Sequence, residues 1–340
     1  MSDVTDQKPE ELRKEKVKES DQNYGSEGAG VKQSLSSQIF SNPVIQDLIF
    51  SYLPSDPRAV KAASLVSRTW NSLLDKPKYW TWATAQLRAD TFSQIFDSRR
   101  FRNIGSVVTS YCLSGYHLRT LVHGLGDCSL KKIRCVLNSF TAVAPEVLAQ
   151  ALVRLEEVDL EECVLSKEVA RAIMKAIGET DQLNLKTLKL GSVMNGDFVE
   201  SELFRYFLRI EDLMVEDMDP KQVTAFYQYI EEIGERDLKL RKLTFGVNSA
   251  TFSMEEEVLA KTWPRLERIV VRTDADIDTA LPSIFSEQVA FVFQRIMKSE
   301  GNKLKYIKLP REIRAELPVN LLTEIKTKMK VVFSDNDVKF

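Results

Sequence analysis

The chain has 340 residues, 44% apolar and 28% charged, with a formal net charge of −2. That length exceeds what one small core organises, so two domains or an extended repeat array are expected. The near-neutral balance argues against nucleic acid as a partner. The absence of any apolar run of roughly 18 residues argues against a membrane span, and the polar start against a secretory signal.

Residues 1–37 are mostly Lys, Glu, Asp, Ser, Gln and Gly, too poor in apolar side chains to sustain a core, and read as a disordered polar tail. Apolar density rises at Ile39-Phe40. From there Ile45, Leu48, Ile49 and Tyr52-Leu53 recur at helical steps until Pro54. Asp56 and Pro57 suit the start of a second helix. Along it Val60, Ala63 and the pair Leu65-Val66 are expected to turn inward, and Trp70, Leu73 and Leu74 continue into a third helix closed by Pro77. Three short helices in so few residues seldom bury all their apolar surface, so a partner or neighbouring domain is expected to cover part of it.

In order and spacing, Asn42-Pro43-Val44-Ile45, Leu48-Ile49-Phe50-Ser51-Tyr52-Leu53-Pro54, Leu65-Val66-Ser67-Arg68-Thr69-Trp70 and Tyr79-Trp80 resemble the F-box. The pattern of that family opens with Leu-Pro, and here Asn42 stands in place of the leucine. The resemblance implies an F-box-like helical domain over 38–87 that docks on a Skp-type adaptor. The expected adaptor contacts are Pro43, Ile45, Leu48, Ile49, Phe50, Leu53, Leu65, Val66, Trp70 and Trp80.

Residues 88–340 repeat the phrase L-x-x-L-x-L in apolar terms. It starts at Leu130, Leu155, Leu185, Ile210, Leu240, Leu266 and Leu304, with successive starts 25, 30, 25, 30, 26 and 38 residues apart. A degenerate first copy lies at Ile104 to Thr109. Between phrases the period becomes helical: Val169, Ala170, Ile173, Met174 and Ile177 share a face, as do Val223, Phe226, Tyr227 and Ile230, and Val289, Val292, Phe293 and Ile296. A repeat of one strand and one helix cannot bury its apolar side alone, so neighbours stack. This resembles the longer, helix-bearing class of leucine-rich repeats, although the family's asparagine after the strand is read as missing, with Glu162 and Ser192 near its place. The expected fold class is therefore α/β: a short three-helix F-box module followed by a curved leucine-rich-repeat solenoid, strands on the concave face and helices on the convex face.

Catalytic signatures are not found in the sequence. His117 and His123 lack an acidic or cysteine partner at ligand spacing. Gly124-Leu-Gly126 is a lone G-x-G. Asp274-Ala-Asp276-Ile-Asp278 begins like a calcium loop but continues with Thr279 and ends at Phe285, where such a loop needs Gly and Glu. No cofactor and no metal are expected. Cys112, Cys128, Cys135 and Cys163 lack C-x-x-C spacing and read as reduced, mostly packed thiols of the cytoplasm or nucleus.

What remains is surface. The third and fifth residues of each phrase, and the residue after the sixth, alternate away from the core. On the last three phrases they carry only positive formal charge, and Lys242, Arg268, Arg272, Tyr306 and Lys308 are the expected substrate contacts, forming one electropositive strip for an acidic or phosphorylated protein segment. The resemblance implies a non-catalytic substrate-recognition subunit of a cullin–RING ubiquitin ligase. Two other classes stay open: a repeat scaffold without a ligase role, and a GTPase-activating protein.

Overall fold

The computed structural model describes residues 42–51, 57–66, 68–74, 80, 83–97, 101–109, 113–191, 201–215, 220–234, 237–247, 256–273, 283–298 and 301–334. The expected tail 1–37, Leu53, Cys112 and the acidic run from Asp274 to Asp278 lie outside them. The chain divides into two compact units, Met1–Tyr52 and Leu53–Phe340. That division falls within the stretch 38–87 expected as one helical module.

In the first unit, helix α1 (Pro43–Ser51) begins where the side chain of Asn42 accepts a hydrogen bond from the Val44 amide at 2.9 Å. Asparagine is a preferred cap and proline fits the first helical position, so the departure from Leu-Pro has a local physical role. Gln46 and Phe50 are buried, whereas Val44 and Leu48, one turn apart, are exposed.

The second unit opens with α2 (Pro57–Ser64) and α3 (Arg68–Leu74). Ten parallel strands follow: β1 (Thr84–Leu87), β2 (Ser106–Thr109), β3 (Lys132–Ser139), β4 (Glu157–Val164) and β5 (Thr187–Leu190), then β6 (Asp212–Val215), β7 (Lys242–Val247), β8 (Arg268–Thr273), β9 (Tyr306–Pro310) and β10 (Lys330–Ser334). They form one sheet in sequence order, each strand beside its predecessor. Every connection carries helical turns. These are α4 (Phe92–Phe96), α5 (Gly115–Gly124), α6 (Pro145–Leu152) and α7 (Lys167–Glu179), a 3-10 helix over Ser201–Arg209, then α8 (Pro220–Glu232), α9 (Glu256–Thr262), α10 (Ser283–Lys298) and α11 (Val319–Lys328). This is a solenoid-like α/β arrangement, as the phrase spacing predicts.

Each phrase enters its strand at its third residue, and the registers align equivalent positions: Lys132 with Glu157, Thr187 with Asp212, Lys242 with Arg268, and Arg268 with Tyr306. The first, fourth and sixth residues are buried, as in Leu155, Val158 and Leu160 or Leu266, Ile269 and Val271. Strand alternation thus sends one row into the core and the other to the open face. The degenerate copy at Ile104 is β2. Two strands escape the phrase, β1 and β10.

Adjacent turns are also joined by side chains. The buried amide of Asn138 donates to the Thr109 hydroxyl at 2.7 Å and to the Val136 carbonyl at 2.9 Å. Cys163, one phrase later at the equivalent place, is buried and donates to the Cys135 carbonyl at 3.2 Å. Asn138 therefore corrects the reading that no asparagine follows the strand: it stands at the ninth position of the phrase starting at Leu130. On the helical side, Arg209 caps the end of α7, its guanidinium donating to the carbonyls of Ile177 at 2.6 Å, Gly178 at 3.0 Å and Thr180 at 2.6 Å. Arg265 does the same for α8, reaching the carbonyls of Ile230 and of Ile233, the latter at 2.6 Å. Both arginines immediately precede a phrase, so one sequence position supplies the cation that the end of the preceding helix favours.

Candidate functional site

The residues expected to dock an adaptor separate by burial. In the first unit, Phe50 is 1% exposed and is a packing residue. Ile45 and Ile49 are half-buried and Leu48 is 57% exposed, while of Pro43 the backbone alone is described. In the second unit, Trp80 is 4% exposed. Its indole N–H donates to the Leu74 carbonyl, and its own carbonyl accepts from the amides of Ala83 and Gly105 at 2.9 and 3.1 Å. Trp80 thus ties the end of α3 to the first turns of the ladder and belongs to the core of its own unit. Trp70 is half-buried. Leu65 and Val66, expected to turn inward along the second helix, are instead 79% and 64% exposed, because α2 ends at Ser64 and they project from the turn that closes it, their amides reaching back to Ala62 and Ala63 at 3.1 Å. Two adjacent large aliphatic side chains on a hydrogen-bonded turn are held toward water by backbone geometry.

On the open face of the ladder, carboxylates interrupt the expected electropositive strip. Lys242 meets Asp212, its register partner on β6, at 3.3 Å. Arg272 meets Glu161 at 2.6 Å. Glu161 sits on β4 and Arg272 on β8, four strands away, a separation of about 19 Å along a flat sheet. That exceeds what the two side chains span together, so the sheet of this unit is bent toward its charged face. Lys189 lies between, 2.9 Å from Asp159 and 3.7 Å from Glu161, and Arg134 reaches Glu162 at 2.5 Å. The cations expected to hold substrate are thus partly neutralised by carboxylates from neighbouring and distant turns. Arg268 lies over the Tyr306 ring at 4.6 Å, and Lys308 is half-buried beside them on β9. Met214 and Val270, expected to project outward with their neighbours, are buried. In register, Met214 stands beside Lys189 and Val270 beside Lys308.

The β3–β4 pair accounts for the position of Glu161. Its register slips between Arg134 and Val136 and again before Ser139, and Leu137 takes φ 49°, left-handed for a non-glycine residue. A Cβ on Gly191 would meet the Glu161 carbonyl oxygen at 2.3 Å, so only glycine lets β5 approach this bulged backbone. The doubled Glu161-Glu162 after the phrase was the available sign of this charge network, but its partner Arg272 is 111 residues away and no local pattern links the two.

The two histidines serve α5. His117 lies 3.1 Å from the Ser114 hydroxyl through Nδ1 and against Phe92 at 4.6 Å between ring centres, and His123 is in the last turn. Among the described residues, no group of three His, Cys, Asp or Glu is placed to hold a metal ion, and no helix is long and apolar enough to cross a membrane. No protein-family model matches the chain, and no curated protein is significantly similar to it.

Proposed function

We propose that the chain is the substrate-recognition subunit of an SCF-type cullin–RING ubiquitin ligase, an F-box protein with leucine-rich repeats. One observation carries this reading. Leu65 and Val66, both among the expected adaptor contacts, are exposed on a folded turn within the stretch whose sequence resembles the F-box. Two further features support it. The parallel ladder has one strand and one helical return per repeat. The phrases at Leu130 and Leu155 extend to L-x-x-L-x-L-x-x-N/C-x-L, with Asn138-x-Phe140 and Cys163-x-Leu165 completing them.

On this reading the chain does no bond chemistry. It raises the effective concentration of a substrate lysine near a charged conjugating enzyme carried by the rest of the complex. The test is co-purification with a Skp-type adaptor and cullin. Val66→Glu places a carboxylate in the docked interface, and burying an unpaired charge costs several kcal/mol, so adaptor recovery falls more than tenfold. Because Val66 is exposed in the free chain, the melting temperature stays unchanged. Full adaptor binding by the folded variant, or none by the wild type, would leave the chain a repeat scaffold.

A further inference from the structure

At two junctions of the ladder, β3–β4 and β6–β7, a lysine near the strand start meets a carboxylate on the adjoining turn: Lys131 with Glu156 at 2.7 Å, Lys132 with Glu157 at 2.5 Å, Lys242 with Asp212 at 3.3 Å. The last turn departs from this pattern. A shallow, open depression of about 550 Å³ lies between the residue preceding β9 and the junction of α11 with β10. Its walls are Lys305, Lys326, Lys328 and Lys330 with Thr327, Met329 and Val331, and no carboxylate is among them. Lys305, Lys326 and Lys330 are exposed, and among the described residues none of the three has a carboxylate within ion-pair distance. Beside the depression, Arg268 and Lys330, from the strands flanking β9, both reach the ring of Tyr306, at 4.6 and 5.8 Å from its centre. Positive charge that carboxylates neutralise at those two junctions is here gathered without one.

The second observation is topological. β10 is the last strand of the sheet and pairs only with β9, so among the described residues its outer edge carries no partner strand. Val331, Val332 and Phe333 along it are half-exposed. An open edge offers unpaired amides and carbonyls to an added extended chain.

We propose that this edge and its lysine-lined depression bind an extended protein segment carrying a phosphoserine or phosphothreonine. The segment adds to β10, and its phosphate is held by Lys305, Lys326 and Lys330. A phosphate matches the site because it brings nearly two negative charges and three strong acceptors to ammonium donors that lack a carboxylate. Single-stranded nucleic acid matches it less well, since Arg268 already lies over the ring of Tyr306. The proposal rests on the reading that the ladder captures a protein segment, and is independent of adaptor docking. Lysines at a sheet edge also discourage edge-to-edge association, and the experiment separates that role.

Full-length chain is passed over beads bearing a degenerate peptide pool with a central phosphoserine, the same pool unphosphorylated, single-stranded RNA of equal length, and phosphatidylserine vesicles. Retention on the phosphorylated pool exceeds that on the other three by about tenfold and falls as salt rises. The double variant Lys305→Glu/Lys326→Glu loses that retention by about tenfold while its melting temperature and adaptor recovery are unchanged. The milder pair Lys305→Gln/Lys326→Gln, a guard against misfolding, loses about threefold. Equal retention of both peptide pools, preference for RNA or vesicles, or a variant that only self-associates while still binding phosphopeptide would overturn the proposal. A wild type that binds the phosphorylated pool but no adaptor would sink the ligase reading and leave this one standing.

Discussion

At the scale of single residues, the core contains polar groups whose partners can be removed one at a time. Trp263 and Tyr227 are both buried, and the indole N–H donates to the phenol oxygen at 3.1 Å. Complete burial pushes the Tyr227 phenol far up, so it stays neutral at physiological pH. Trp263→Phe keeps most of the apolar volume but leaves that hydroxyl without its donor, a loss of about 1–3 kcal/mol. Urea unfolding should show a lower midpoint with an unchanged slope. Gly191→Ala acts differently: its new methyl would run into the backbone oxygens of Glu161 and Cys163. Backbone cannot rotate aside as a side chain can, so overpacking costs about 1–3 kcal/mol. The same measurement checks it, and an unchanged midpoint would show that the bulge of β4 yields.

At the scale of elements, the arginine that precedes a phrase does a job its neighbours cannot share. Arg209 holds the last carbonyls of α7 in a planar fork, so Arg209→Ala should cost about 1–3 kcal/mol and Arg209→Lys should restore little of it. Amide exchange would report faster opening of the last turn of α7 in both variants, and protection equal to wild type in the lysine variant would refute the fork argument. The elements legible in the sequence were those with leucine, isoleucine or valine at the inward positions: the seven phrases all became strands at their third residue, and the helix faces at Val169 and Val289 are buried. The missed strands lack that signature. In β1 the inward row carries Ala85, and the position equivalent to the leading leucine of β10 is Lys328, which instead donates to the Met297 carbonyl at 2.6 Å to close α10. Of the expected binding residues, Leu65 and Val66 were legible as motif residues but not as exposed ones, since helical spacing placed them inward and the turn after Ser64 displays them instead. The pairing of Lys242 with Asp212 was implicit in the phrase alignment, since both are third residues of adjoining phrases, whereas that of Arg272 with Glu161 was not, because it depends on how the sheet bends.

At the scale of the molecule, a stack whose turns touch only their neighbours is a one-dimensional array, stabilised by a sum of adjacent couplings and soft to bending. Most of the second unit obeys this, since each strand pairs with the one before it in sequence. Arg272 and Glu161 do not, for they join β8 to β4 across three intervening strands. An exposed pair of this kind is worth about 0–1 kcal/mol, too little to decide the fold. It is enough to bias a soft coordinate. Arg272→Ala should therefore leave the melting temperature nearly unchanged while small-angle scattering shows a larger radius of gyration, and about 1 M salt should widen the wild type in the same direction. An unaltered scattering curve in both cases would mean that helix packing alone sets the bend. In mechanical terms the ladder is a sprung hook with an ionic latch across its mouth, whose aperture the surrounding electrolyte would tune.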